Sequence, residues 1–321
     1  MIKRRILGNS GISVSEIALG TMYFGWNEPT EASIERLNQY AEADGNFIDT
    51  ANVYTRRVAE GLDLYGKDFD KFEDGASEKL IGAWMKEKKN REKIVLATKV
   101  GFAYPGIEIG TSKKQIKEEC EKSLKRLGTD YIDLYYLHMD DKKTPFEESL
   151  SALTELVKEG KVRAVGASNF TAVRLREADE VAKKEGFVRF SCVQNKGTYL
   201  TPRIDFDYGR QAPLDEAVLS LSAELNITPI AYSPLAKGYY AKRDKEPAEC
   251  YVSLENEEKI KKLDKISIEL GVSPVQLAFA YLLRRTPGII PIVASSTKEQ
   301  FNEALDSLKI SLSDEILSRL F

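Results

Sequence analysis

The chain of 321 residues contains one histidine, His138, placed where an apolar run ends in "YIDLYYLHMDD" (131–141). Three further ionisable residues end or follow apolar runs: Asp49 in "NFIDTA", Tyr54 shortly after it, and Lys99 in "KIVLATKVG". A lysine at the end of such a run is costly to bury unless a carboxylate pairs with it. Asp49 is the nearest candidate in strand order. A free phenol titrates near ~10, too high for efficient proton donation at neutral pH. An adjacent ammonium favours the phenolate, so Lys99 is expected to lower the Tyr54 pKa and make it a general acid. Asp49 would keep Lys99 charged, and His138 could hydrogen-bond and orient the oxygen that receives the proton. The set has no nucleophile beside a base, which argues against acyl transfer, and no clustered ligands for a metal. Protonating an oxygen suits carbonyl reduction, with the hydride coming from a cofactor. A lyase using Lys99 as a Schiff base is the competing chemistry.

These residues must be brought together by their elements. Eight β-rich apolar runs cover 15–22, 46–51, 93–101, 131–138, 162–169, 187–195, 227–235 and 288–296. Several are almost continuously apolar, as strands covered on both faces should be. Helical sequence lies between them. "SEKLIGAWMKEKK" is one such helix, with Trp84 on its core stripe. "SKKQIKEECEKSLKRLG" is another, with Thr111 as the expected cap and Gly128 as the stop. "TPFEESLSALTELVKEGK" carries Pro145 in its first turn, acids early and Lys158 late, as the helix dipole favours. Eight strands alternating with helices fit an α/β fold of the (β/α)8 TIM-barrel type, with chemistry at the C-terminal ends of the strands. "IKRRILGNSGISV" reads as an N-terminal β-hairpin turning near Asn9 to Gly11. Residues 55–76 and 236–254 read as two long loops on the C-terminal face. With no linker or repeat visible, one domain over 1–321 is expected.

Composition narrows the function classes. Forty-seven Lys and Arg against fifty Asp and Glu leave −3, without the basic footprint of a nucleic-acid binder. No stretch reaches the ~18 apolar residues of a membrane span. Cys120, Cys192 and Cys250 are odd in number and widely spaced, which suggests inert thiols in a reducing, cytoplasmic setting.

On these residues the chain resembles the aldo-keto reductases. "FIDTANVY" is similar to that family's Asp-Thr-Ala-x-x-Tyr signature, and "LATKVG" and "YIDLYYLH" to its lysine and histidine strands. "GKVRAVGASNF", "VQN", "AYSPLAKG" and "IPIVASSTKEQFNEAL" follow in family order. The resemblance implies NADP(H), or less often NAD(H), laid across the barrel mouth, and a small aldehyde, ketone or sugar as substrate. It implies Tyr54 as proton donor, Lys99 and Asp49 as its tuning pair, and His138 as the group that orients the carbonyl. It implies Ser168, Asn169 and Gln194 at the carboxamide, Tyr232 stacked on the nicotinamide, and Ser233, Leu235 and Gly238 along the pyrophosphate. Gly20, Thr21 and Met22 match contacts at the end of the first barrel strand. Ser295, Ser296, Thr297, Gln300 and Glu303 fall at the adenosine end. Many relatives place a cation near Ala294 and an arginine near Gln300; here both positions are neutral, which narrows the expected margin of NADPH over NADH. Ala304 stands where an asparagine of the adenine pocket is usual. Some family members serve as accessory subunits that sense redox state through bound nucleotide, a second reading the resemblance allows. Aromatic residues near the mouth, Tyr23, Phe24, Trp26 and Phe102 with Met139, are candidates for a substrate wall.

Overall fold

The structure is a computed structural model that describes residues 2–55, 75–104, 106–243 and 246–321. Strands β1 (Arg4–Ile6) and β2 (Ser13–Ser15) pair antiparallel as the expected hairpin. The eight strands that follow are β3 (Ala18–Gly20), β4 (Phe47–Asp49), β5 (Val95–Val100), β6 (Ile132–Leu137), β7 (Val162–Ser168), β8 (Cys192–Lys196), β9 (Thr228–Tyr232) and β10 (Ile290–Val293). Seven lie within one of the apolar runs, and β8 ends one residue past its run. They are parallel and close into a barrel, with β10 pairing back to β3. Every residue of β4, β5 and β6 is buried, which is why their sequences do not alternate. The hairpin plugs the N-terminal end: Leu7, Ile12 and Val14 pack with Phe47, Val95 and Ile290 of the barrel interior.

Local chemistry sets the helix ends. Helix Lys113–Leu127 is capped by Ser112, whose side chain accepts from the Gln115 amide, and ends at Gly128 with φ 63°. Thr111, the cap expected from sequence, instead gives its backbone N–H to Asp141. Two hydroxyl residues in a row both suit a cap, and the neighbouring β6 loop decides which is used. Helix Phe146–Lys158 follows Pro145 with Glu147 and Glu148 in its first turn. Trp84, in helix Ala76–Lys88, is buried as expected and donates to Asn38.

Of the first expected long loop, 55–76, residues 56–74 lie outside the described residues, and Ala76 already begins helix Ala76–Lys88. The second is irregular but far from a solvated insertion, since Tyr240, Cys250 and Tyr251 are buried within the core. A third long connection, 197–215 between β8 and helix Glu216–Leu225, was not anticipated. "TPRIDFDYGRQAP" carried the turn residues that could have announced it. Inside the barrel, Gly166 is required by close approach: a Cβ there would meet Cys192 Sγ and the Tyr136 ring at 2.7 Å. The Tyr136 ring that fills this space lies under Lys99, 5.7 Å from its Nζ.

Candidate active site

Register brings the candidate residues to one rim. Gly20 pairs with Asp49, Lys99 with Tyr136, and Ser168 with Gln194, so the C-terminal ends of adjacent strands line up around the mouth. Lys99 is fully buried and its ammonium gives its three hydrogens to three oxygens. Nζ lies 2.6 Å from Asp49 Oδ1, 2.7 Å from the Thr50 carbonyl and 3.0 Å from the Tyr54 hydroxyl. An ammonium only donates, so the Tyr54 oxygen accepts. The phenol's own hydrogen is therefore not spent on Lys99. Asp49 is completed from the other side by Gln194, whose Nε2 donates to Oδ2 at 2.7 Å. His138 packs edge-on against Tyr54, with ring centroids 5.9 Å apart, and Phe102 packs edge-on against His138 at 4.6 Å.

Electrostatics revises one expectation. Burial pushes the Tyr54 phenol above its ordinary pKa; Lys99 is the strongest opposing influence, and Asp49 works against Lys99. Lys99 does not lower the phenol below ~10. It offsets the cost of closing a phenol into the barrel, a cost the sequence could not display. Lys99 itself is lowered by burial but raised further by Asp49 and Tyr54, so it stays a cation. Asp49 is raised by burial, against the contacts of Lys99 and Gln194. Burial, and then the Lys99 charge, hold His138 well below its usual pKa, so its imidazole is neutral. Its Nδ1 is buried without a hydrogen-bond partner.

The two aspartates beside His138 are structural. Asp140 takes both oxygens to Arg174 on helix Ala172–Glu185, and Asp141 accepts from Thr111 and Thr144. They pin the loop after β6 and leave the histidine as the one titratable side chain of that loop aimed at Tyr54.

The expected nucleotide residues ring the same mouth. The Thr21 hydroxyl donates to the Asp49 carbonyl, and Met22 packs with Tyr54. Asn169 adopts φ 63°, donates to the His138 carbonyl and accepts from the Tyr232 hydroxyl. Ser168 receives a hydrogen bond from Asn169. After β9, Ser233, Ala236 and Lys237 all take left-handed backbone angles, an uncommon concentration for residues with a Cβ. Ala236 and Gly238 turn back to the Ser233 and Leu235 carbonyls. At the end of β10, Thr297 caps helix Lys298–Asp306, and Gln300 accepts from the Ser296 N–H. Ser295 keeps a buried hydroxyl with no partner. Glu303 differs from the rest: its carboxylate accepts from Ser273, the cap of helix Pro274–Arg284. Of the expected wall, Phe102 packs on His138 and on the cluster of Ala51, Val53 and Tyr54, Met139 is buried, Tyr23 is exposed and Phe24 is core. Trp26 is tied to the Met22 carbonyl.

Sequence reasoning missed the buried polar layer behind these residues. The Ser77 hydroxyl meets Thr21 and Thr50, while Glu78 takes the Thr98 hydroxyl and the Arg126 guanidinium. "ASE" at 76–78 held the signal as a polar helix start, but its partners lie in distant strands. Cys120, Cys192 and Cys250 are buried and free, and burial first pushes the thiols of Cys120 and Cys192 up to about 12.

The closed parallel barrel thus carries a hydrogen-bonded Asp–Lys–Tyr chain and a neutral histidine at its C-terminal mouth. The chain belongs to the aldo/keto reductase family, whose model matches residues 16–320. It is similar to the norsolorinic acid reductase stcV of Emericella nidulans, 32% identical over 95% of this chain and 77% of that protein. It is also similar to the oxidoreductase YrpG of Bacillus subtilis, 32% identical over 98% and 93%. The 6-dehydroglucose reductase of Novosphingobium aromaticivorans is likewise 32% identical, over 95% and 90%. Among the described residues, no single helix is long and apolar enough to cross a membrane, and no group of His, Cys, Asp and Glu could hold a metal.

Proposed function

We propose that this protein interconverts small aldehydes, ketones or sugars and their alcohols, with Tyr54 as proton donor in reduction and acceptor in oxidation. The observation that carries the reading is the hydrogen-bond direction at Tyr54: its oxygen accepts from Lys99, and its hydrogen remains free for a carbonyl oxygen. As the proton leaves, the phenolate forms 3.0 Å from a cation that burial has deprived of water. Asp49 holds that cation in place. His138 is neutral, so one ring nitrogen donates to the same carbonyl oxygen without competing for its proton. The arrangement needs a hydride donor, which NAD(P)H would supply when bound at the mouth.

The residues present suit that nucleotide. Asn169, Gln194 and Tyr232 sit side by side where a carboxamide and ring would rest. The orphaned Ser295 hydroxyl, at the start of helix Lys298–Asp306, suits a phosphate oxygen. We assign NADP(H) as the preferred cofactor on this basis, with NAD(H) accepted because positions 294 and 300 are neutral. Two relatives named norsolorinic acid reductase and 6-dehydroglucose reductase support carbonyl reduction without choosing between substrates. We further propose one barrel domain over 1–321 and, from three buried free thiols, a cytoplasmic location.

The test is a side-by-side titration with NADPH and NADH, followed by an aldehyde and ketone panel, on the wild type and Tyr54→Phe. Saturable binding with NADPH favoured, turnover in the wild type, and a loss of about 10²–10⁴-fold in the variant at unchanged nucleotide affinity are expected. Near-normal turnover by Tyr54→Phe would refute the assignment.

A further inference from the structure

A second carboxylate is buried as deeply as Asp49 and takes no part in the chemistry above. Glu119, on the outer helix Lys113–Leu127, is 1% exposed. It accepts from Asn52 Nδ2 at 2.8 Å and from the Tyr104 hydroxyl at 2.8 and 2.7 Å to its two oxygens. Lys122 closes it toward solvent at 2.8 Å. Its helix neighbours on the inner face, Ile116, Cys120 and Ser123, are small or apolar, and a carboxylate among them is costly unless its bonds compensate. Packing alone does not call for it.

Its two donors belong to different walls of the mouth. Asn52 lies in the turn that carries Tyr54, is 1% exposed, and is held through Nδ2, since its Oδ1 has no partner. Tyr104 lies in the loop after β5, two residues from the Phe102 that packs on His138. The Phe102 and Tyr104 rings pack on the cluster of Ala51, Val53 and Tyr54. The backbone of the Tyr54 turn is tied to β5 and to helix Ala76–Lys88 by Asn52 N–H to the Lys99 carbonyl and Ser77 N–H to the Tyr54 carbonyl, and within itself by Tyr54 N–H to the Ala51 carbonyl and Thr55 N–H to the Val53 carbonyl. Glu119 adds a side-chain tie from Asn52 to the Tyr104 loop.

We infer that Glu119 is a positioning residue that holds the Tyr54 turn and the Phe102–Tyr104 wall in one register through Asn52 and Tyr104. The inference rests on Tyr54 being the proton donor. The phenol has to stay within hydrogen-bond reach of Lys99 while its free hydrogen meets a carbonyl held against the wall, and a small misplacement of either is costly to rate. Glu119 reaches both from outside the mouth, without occupying space the substrate needs.

The experiment compares Glu119→Gln, Tyr104→Phe and Tyr54→Phe, with the double variant Glu119→Gln/Tyr54→Phe, on the full-length enzyme. Glu119→Gln is expected to lower kcat about tenfold with nucleotide Kd within about twofold, and Tyr104→Phe to raise carbonyl KM several-fold at nearly unchanged kcat. In the Tyr54→Phe background the kcat effect of Glu119→Gln should vanish, because it acts through the phenol. A Glu119→Gln variant that loses only melting temperature, or that slows both backgrounds equally, overturns the inference. Should Glu119→Gln fail to fold, Asn52→Ala cuts the same link from the turn and is read by the same kcat comparison. If Tyr54→Phe alone keeps near-normal turnover, the proton-donor reading fails first, an outcome separate from an unaffected Glu119→Gln beside an inactive Tyr54→Phe.

Discussion

Asp49 and Asp133 are both buried carboxylates held by cations, at opposite ends of the barrel, and their partners differ. At the closed end Asp133 is 1% exposed and takes Arg91 at 2.8 Å, Arg163 at 2.6 Å and the Leu96 N–H at 3.0 Å. Guanidinium groups do not give up a proton in proteins, so this group can only hold strands together. Arg91 is locked further by stacking on Tyr131 at 3.8 Å. At the mouth the cation is an ammonium with three donors, and the third goes to a phenol whose hydrogen is unspent. At that end His138 Nδ1, Asn52 Oδ1 and Ser295 Oγ are buried without a hydrogen-bond partner, as Glu16 Oε2 and Asn90 Oδ1 are elsewhere in the molecule. A folded protein rarely leaves such groups without reason. Burying a charge pair is thus compatible with pure structure or with chemistry, and the titratable neighbour separates the two.

Breaking each pair in turn sharpens that contrast. Lys99→Met should have the largest effect, lowering carbonyl reduction by about 10³-fold or more, because Tyr54 then loses the cation that stabilises its phenolate. It should also cost about 3 kcal/mol of stability in denaturant titration, since Asp49 is left buried with Gln194 alone. Asp133→Asn should cost about 2 kcal/mol by the same measurement while leaving kcat/KM of the folded enzyme unchanged. A large activity loss in that variant would erase the distinction between the two ends.

The smallest expected effect is a pH dependence. His138 is held neutral in the folded state, below its unfolded value of ~6.5, so the unfolded chain takes up its proton first as pH falls. Its contribution to stability is therefore complete above ~6.5 and declines as pH drops below it, toward the folded pKa. His138→Gln should flatten that part of a pH–melting curve. In the wild type, kcat/KM for reduction should show no inflection near ~6.5, and one there would mean the imidazole titrates in the active enzyme.

Much of this was legible because it is local. Apolar runs and glycine stops are set by neighbouring residues, so the expected runs contain the barrel strands to within a residue. Asp49, Lys99 and His138 stood out as ionisable candidates at strand ends, with Tyr54 singled out only by its place in the motif. The cap at Ser112 rather than Thr111, the long connection 197–215 and the core role of Phe24 were not, because each depends on what a distant segment offers. Glu119 read as one acid in a charged helix, and nothing near it in the chain pointed to Asn52 or Tyr104.

The order of residues by itself pointed to an eight-stranded barrel and to candidates for its mouth, since periodicity and turn chemistry act over a few positions. Closure of the barrel decided the rest. It shut out water, raised the phenol's pKa where proximity to a cation had suggested a fall, and left the ammonium with three oxygens and no others to serve. Desolvation and hydrogen-bond direction belong to the assembled surroundings of an atom, and no single stretch of chain carries them.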